Sequence, residues 1–191
     1  DLATIPEGDG GVSALRSALR EGGCPELPRP YPDMGWYIPL PDRWEGYLEA
    51  RSRSHRKQLR RLVGAFDRSD RWALRRVESA RELPSIWPTL VELHQRRRAS
   101  FGQEGAFTSP RFEAFLRGAT PHLLDEGKLA LYWLEYEGVA VAVDYQVRSG
   151  STLYSYLVGM SPEHRKLRPG ALLTALTIRE AIREGCTGYD L

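Results

Sequence analysis

VGMSPEHRKLRPGALLTALTIREAI, residues 158–182, is the stretch around which the rest of the chain is organised. It reads as the end of a strand carrying Tyr154 and Tyr156, then a basic loop with His164, Arg165, Lys166 and Arg168. Pro169-Gly170 then opens a helix whose apolar positions are Leu172, Leu173, Leu176, Ile178 and Ile182. The first amides of a helix have no intrahelical acceptor and the macrodipole is positive there. Cations leading into a helix start therefore suit a phosphate or pyrophosphate. Pro169 lacks a donor that would be idle at this position, and Gly170 lets a ligand approach the backbone closely. The competing reading is an ordinary strand-loop-helix connection with solvated basic residues.

Outward from this stretch, residues 186–191 begin a last strand. Upstream, strands over residues 128–136, 139–148 and 151–158 are separated by Glu137-Gly138 and Ser149-Gly150, short connections that argue for an antiparallel meander. Two helices precede them. One covers residues 81–101, with Leu83, Ile86, Trp87, Leu90 and His94 along one side; the other is opened by Ser109-Pro110 and interrupted by Pro121. Residues 72–78 alternate as a first strand. Asp42 is expected to cap one long helix over residues 43–67, in which RSRSHRKQLRR, residues 51–61, carries six Lys or Arg and no acid. A solvated basic face explains such a run, and so does contact with phosphates. Prolines force residues 24–41 into an extended connector in which residues 35–38 alone suit a strand, and residues 12–21 suit a short helix stopped by Gly22-Gly23. The division is thus a helix and Pro-rich linker over 1–41 and an α/β domain over 42–191.

At 191 residues the chain is long enough to bury a full core, and 41% hydrophobic with 27% charged residues is an ordinary globular balance. A net charge of +2 does not argue for nucleic acid by itself. Cys24 and Cys186 stand alone, outside any metal-ligand spacing, which suits a reducing compartment and gives no support to a metal or a disulfide scaffold. No apolar run approaches the length that spans a bilayer, so a cytoplasmic protein is the simplest expectation. GxSxG, HExxH and GxxxxGK(S/T) are absent, which leaves elbow hydrolases, zinc peptidases and P-loop enzymes unsupported.

The loop resembles the acyl-coenzyme A pyrophosphate loop of the GNAT acyltransferase superfamily, (Arg/Gln)-x-x-Gly-x-(Gly/Ala). Arg165 takes the first position and Gly170 the last, while Arg168 stands where the middle Gly is usual. With its Pro-Gly helix start the variant is more similar to the CelD-like and FemAB-like branch. The likeness covers roughly residues 36–191 and rests also on WEGYLEARSRSHRKQLRR (44–61), LHQRRRASFGQEGAF (93–107), EGVAVAVDYQV (137–147) and GYDL (188–191). It implies a GNAT-like fold, a mixed and mostly antiparallel sheet flanked by helices, here the second of two such halves and ending inside a strand that relatives continue. It further implies acetyl-CoA or another acyl-CoA as donor, no metal, and a sugar or amine acceptor connected with cell-surface polysaccharide. FemAB-like relatives use aminoacyl-tRNA, which is the alternative donor; a binding domain without catalysis is the third reading.

By the same resemblance, Leu157, Val158 and Gly159 form the strand edge that cradles the pantetheine, and Arg165, Lys166, Leu167, Arg168, Pro169, Gly170 and Ala171 hold the pyrophosphate. Direct transfer needs a base for the nucleophile and an acid for the thiolate. The candidates are Asp144, Tyr156, His94 and Tyr189. A three-residue loop of Ser149, Gly150 and Ser151 pairs 144 with 156 and 146 with 154, gathering Asp144, Gln146, Tyr154 and Tyr156 on one face; a two-residue loop breaks that register. Structural readings stand beside each: a carboxylate meeting Arg148 or a tyrosine, packing aromatics, and a satisfied core histidine.

Overall fold

The computed structural model describes residues 36–191 and, nearer the N-terminus, residues 17, 18 and 20–23. Of the helix expected over 12–21, residues 17, 18, 20 and 21 are helical and a turn follows at Gly22-Gly23; the rest of it, and the connector up to residue 35, lie outside the described residues.

The unit Tyr37–Leu191 is built on one six-stranded sheet. In chain order its elements are β1 (Tyr37–Pro39), α1 (Trp44–Glu49), α2 (Arg53–Asp67), β2 (Trp72–Arg76), α3 (Leu83–Ala99), α4 (Pro110–Asp125), β3 (Leu129–Tyr136), β4 (Val139–Ser149), β5 (Thr152–Met160), α5 (Pro169–Arg183) and β6 (Gly188–Asp190), with short 3₁₀ turns at Ala106–Thr108 and Pro162–Leu167. The sheet order is β1-β6-β5-β4-β3-β2, and every neighbouring pair is antiparallel except β5 and β6. This is the mixed, mostly antiparallel sheet that the resemblance implied. The parallel pair follows from α5, which carries the chain back across one face before β6 begins.

Each face of the sheet has its own core. Leu59 and Val63 of α2 and Leu172, Leu173, Leu176 and Ile178 of α5 pack with Tyr132, Leu134 and Ala142 on one side. Ile86, Trp87 and Leu90 of α3 and Leu116 of α4 pack with Leu131, Val143 and Tyr145 on the other. Burying each large apolar side chain is worth roughly 1.5–3 kcal/mol, so β4, covered on both faces, reads as the apolar run VAVAV. Asp144 and Gln146 interrupt that run while remaining buried themselves.

Three sequence expectations are corrected. The helix expected over residues 43–67 is two helices, because Ser52 takes an extended conformation and its side chain caps α2 by accepting from the His55 amide at 3.4 Å. Asp42 caps nothing: Arg43 is the N-cap residue of α1 and makes no side-chain cap bond. The β4–β5 turn has two residues, Gly150 and Ser151, so Ser149 faces Thr152, and a bulge between Tyr145 and Gln146 shifts the register again. Asp144 therefore faces Val158, and Gln146 faces Ser155, rather than the tyrosines.

Candidate active site

β6 pairs with β5 only through Thr152, Leu153 and Tyr154. From Ser155 to Met160 that edge of β5 has no strand partner among the described residues, although β4 continues on its other side. A polar cluster sits where the two strands part. The Ser155 hydroxyl donates to Asp144 Oδ1 at 2.8 Å, and Gln146 Nε2 donates to Asp144 Oδ2 at 2.7 Å and to the Tyr189 hydroxyl at 2.6 Å. The Tyr189 hydroxyl also lies 3.3 Å from Asp144 Oδ2 and 3.1 Å from Thr177 Oγ1 of α5. Asp144 is 1% exposed, and Gln146 and Tyr189 are 0% exposed.

Burial raises the Asp144 carboxyl to about 6, against hydrogen bonds from Ser155, Gln146 and Tyr189 and the charge of Arg97, which all favour ionisation. Burial, reinforced by the Asp144 charge, holds the Tyr189 phenol well above its ordinary value. Near neutrality the cluster is thus a carboxylate beside a protonated phenol. Asp144 Oδ2 is held by Gln146 and Tyr189, while Oδ1 meets Ser155, whose side is half-buried at the strand edge. Such an arrangement takes a proton through the Ser155 hydroxyl and can return it by the same route.

Of the four candidates for acid and base, the fold brings Asp144 and Tyr189 together and sets the other two elsewhere. The bulge turns Tyr156 onto the opposite face, where its ring lies 6.3 Å from that of Tyr145 and 6.4 Å from that of Phe112. His94 Nε2 accepts from the Ala106 amide at 3.1 Å, so the ring proton is on Nδ1, which donates to the Val158 carbonyl at 3.0 Å. Burial lowers its pKa, as do Arg98 and Arg97 to a smaller extent. Neutral and bonded at both nitrogens, His94 clips α3 and the turn at Ala106–Thr108 to the open edge of β5. It also occupies a carbonyl of the strand edge that the resemblance reserved for pantetheine.

Gly159 serves this same joint. A Cβ there would lie 2.5 Å from the His94 backbone nitrogen and 2.6 Å from the Leu93 carbonyl carbon, so α3 rests on bare backbone. Gly159→Ala is expected to destabilise the chain by about 1–3 kcal/mol through overpacking, read as a lower urea midpoint. An unchanged midpoint would show that α3 yields and that the joint is not tight.

Just beyond the same end of β5 the basic segment is a 3₁₀ turn over Pro162–Leu167, closed by Arg168 at φ +56° and ψ +46°. Arg168 thus adopts the left-handed conformation that a Gly takes freely, at the position where the motif carries Gly. Its carbonyl accepts the Leu172 amide, while no side chain caps α5, so the amides of Gly170 and Ala171 have no acceptor within the helix. Arg165, Lys166 and Arg168 are exposed and make no ion pair among the described residues.

Ser155 and Thr177 belong to the cluster and were not singled out from the sequence. Ser155 lies hidden between two tyrosines, and the bulge that turns it toward Asp144 has no sequence signal of its own. The sequence also offers Arg96 to Arg98, next to His94, as residues facing the substrate entrance, and the charge of Arg97 favours the ionised form of Asp144.

Residues 53–191 match the family model of an acetyltransferase (GNAT) domain. Among solved structures, FemX is similar with a TM-score of 0.68 at 15% identity over 97% of this chain and 61% of that one. The C-terminal domain of a candidate lysylphosphatidylglycerol synthetase from Agrobacterium fabrum gives 0.55 at 15% identity over 82% of this chain and 45% of that one. A conserved protein of unknown function from Bacteroides thetaiotaomicron gives 0.52 at 13% identity, over 94% and 57%. The chain therefore spans about three fifths or less of the length of these relatives, and likeness at such identities concerns the fold alone. No curated protein matches it. Among the described residues no helix is long and apolar enough to cross a membrane, and no group of His, Cys, Asp or Glu side chains is arranged to hold a metal ion.

Proposed function

The chain belongs to the acetyltransferase (GNAT) domain family, and from that premise we propose that it transfers an acyl group directly from acetyl-CoA or a related acyl-CoA to an amine or hydroxyl, on an acceptor connected with cell-surface polysaccharide. The observation that carries this reading is the buried Asp144, Gln146, Ser155 and Tyr189 cluster at the point where β5 loses its strand partner. In the proposed step the acceptor nucleophile gives its proton through Ser155 to Asp144 as the bond to the acyl carbon forms. The bond from that carbon to sulfur then breaks, and the departing thiolate takes the proton back. Tyr189 and Gln146 orient Asp144. Pyrophosphate binding falls to Arg165, Lys166 and Arg168 with the Gly170 and Ala171 amides; Leu167 and Pro169 shape that turn. The Leu157–Gly159 edge carries the pantetheine with the Val158 carbonyl already taken by His94.

The test is release of free thiol from acetyl-CoA in the presence of a panel of amino sugars and small amines. Release that requires an acceptor supports the reading. Absence of both release and acetyl-CoA binding in a folded chain removes it.

A second reading, with aminoacyl-tRNA as donor, is favoured by α2. Arg53, Arg56, Lys57 and Arg60 fall on one helix face and line a hollow of about 300 Å³, and none is ion-paired among the described residues. Retention of tRNA on filters that weakens steeply with salt would support that donor, and no retention at low salt would exclude it.

A further inference from the structure

Glu163 is the only acid between Asp144 and Glu180, and it stands at the head of the basic segment His164, Arg165, Lys166 and Arg168. In the 3₁₀ turn Pro162–Leu167, side chains three residues apart stand over one another, which makes Lys166 the local partner for Glu163. That pair does not form. Glu163 Oε2 pairs instead with Arg96 of α3, and the Ser161 hydroxyl donates to the same oxygen at 2.7 Å. Both anchors are themselves fixed. Ser161 is 4% exposed and its amide donates to the Val141 carbonyl at 2.9 Å, while Arg96 Nη1 donates to Glu92 Oε1 at 2.9 Å, one turn back on α3. The single Ser161 proton goes to Glu163, so His164 Nδ1 donates to Ser161 Oγ, 2.8 Å away. Hydrogen bonds, the largest from Ser161, hold the Glu163 carboxyl down at about 2, and its charge persists at neutral pH.

The turn therefore has two sides. Ser161, Glu163 and His164 line a hollow of about 340 Å³ with Glu92 and Arg96, whereas Arg165, Lys166 and Arg168 lie outside that lining and make no ion pair among the described residues. A half-exposed ion pair contributes little stability by itself. Its consequence here is for the charge left to a ligand: an ionised carboxylate beside Lys166 would neutralise one cation and repel phosphate.

We propose that Arg96 is a positioning residue of the donor site: by holding Glu163 against α3 it keeps an anion off the cations that receive the donor phosphates. The inference rests on the reading of Arg165, Lys166 and Arg168 as the pyrophosphate residues and adds what keeps them free. Arg96 acts only through Glu163.

The test is a double-mutant cycle of Arg96→Gln, Glu163→Gln and the two together in the 191-residue chain, titrated calorimetrically with acetyl-CoA and with inorganic pyrophosphate. Arg96→Gln alone is expected to weaken both ligands by about three- to tenfold, because the released carboxylate turns to Lys166. Glu163→Gln then restores the affinity in the Arg96→Gln chain, yet changes it by less than about twofold in the parent, where the carboxylate is already held. Three results overturn the proposal. Unchanged affinity in Arg96→Gln leaves the pair without a role in binding. An equal effect of Glu163→Gln in both backgrounds is long-range charge. A double variant as weak as Arg96→Gln makes the pair a brace for the shape of the turn. The two ligands separate this inference from the donor reading. If pyrophosphate follows the cycle while acetyl-CoA does not bind the parent, the donor assignment falls and the role of Arg96 stands. If acetyl-CoA binds parent and Arg96→Gln alike, the donor reading stands and the role of Arg96 falls.

Discussion

Asp144→Asn is expected to lower kcat/KM for acyl transfer by about 10²- to 10⁴-fold, the usual contribution of a positioned base, and to make the protein more stable at neutral pH. The two effects have one origin. Burial raises the Asp144 carboxyl from 3.8 to about 6, so folding favours its protonated form. That contribution is fully present below pH 3.8 and is lost as pH rises through 6. At pH 7 the buried charge costs about 3 kcal/mol relative to a neutral group. Asparagine carries no charge, and turning over the Gln146 amide lets it meet the new Nδ2 with Oε1, the atom that now has no partner. Melting curves at pH 8 should place the variant above the parent by up to roughly 6–12 °C, with the difference shrinking toward pH 4. In the parent, kcat/KM should fall about tenfold per pH unit below 6, and the variant should lack that limb. Lower activity accompanied by a lower melting temperature at pH 8 would mean that the carboxylate holds the fold together and is not the base.

How far the sequence anticipated this site depends on whether periodicity or tertiary context placed each residue. Strand and helix order follow from alternation, glycine turns and Ser-Pro starts, all local; the mixed sheet came with the resemblance, because β6 reaches β5 only by the tertiary path of α5. Asp144 and Gln146 were legible because two polar residues break an apolar run at a spacing that puts them on one face. Their partners were not. A two-residue turn and a bulge moved Tyr154 and Tyr156 away from Asp144 and brought Ser155 to it, and neither a bulge nor one residue of turn length is written in hydrophobic pattern. His94 shows the opposite case. Its place on the apolar stripe of α3 already favoured a satisfied side chain, which its two hydrogen bonds make it. The break at Ser52 was readable as a cap, yet the helical spacing of the apolar residues on both sides concealed it.

The basic segment carries the last expectation: Arg165→Ala with Arg168→Ala should weaken acetyl-CoA binding by about 100-fold or more without changing the melting temperature. Charge-assisted hydrogen bonds are worth about 1.5–3 kcal/mol each, and exposure together with salt keeps these at the lower end, so two of them amount to about 3 kcal/mol or 10² in Kd. Stability should be untouched because both side chains are exposed and make no ion pair among the described residues. Alanine inherits the same left-handed strain that arginine bears at φ +56°. Arg168→Gly alone separates charge from conformation. It removes one cation, so affinity falls by its share, but it relieves roughly 1 kcal/mol of backbone strain and should raise the melting temperature by a few degrees. Calorimetry at two ionic strengths reads the affinities, since a pyrophosphate held by exposed cations binds less tightly at higher salt. If the double variant binds acetyl-CoA as tightly as the parent, the segment is a solvated connection between β5 and α5. The donor phosphates then have to be sought along the cations of α2, which make no ion pair among the described residues.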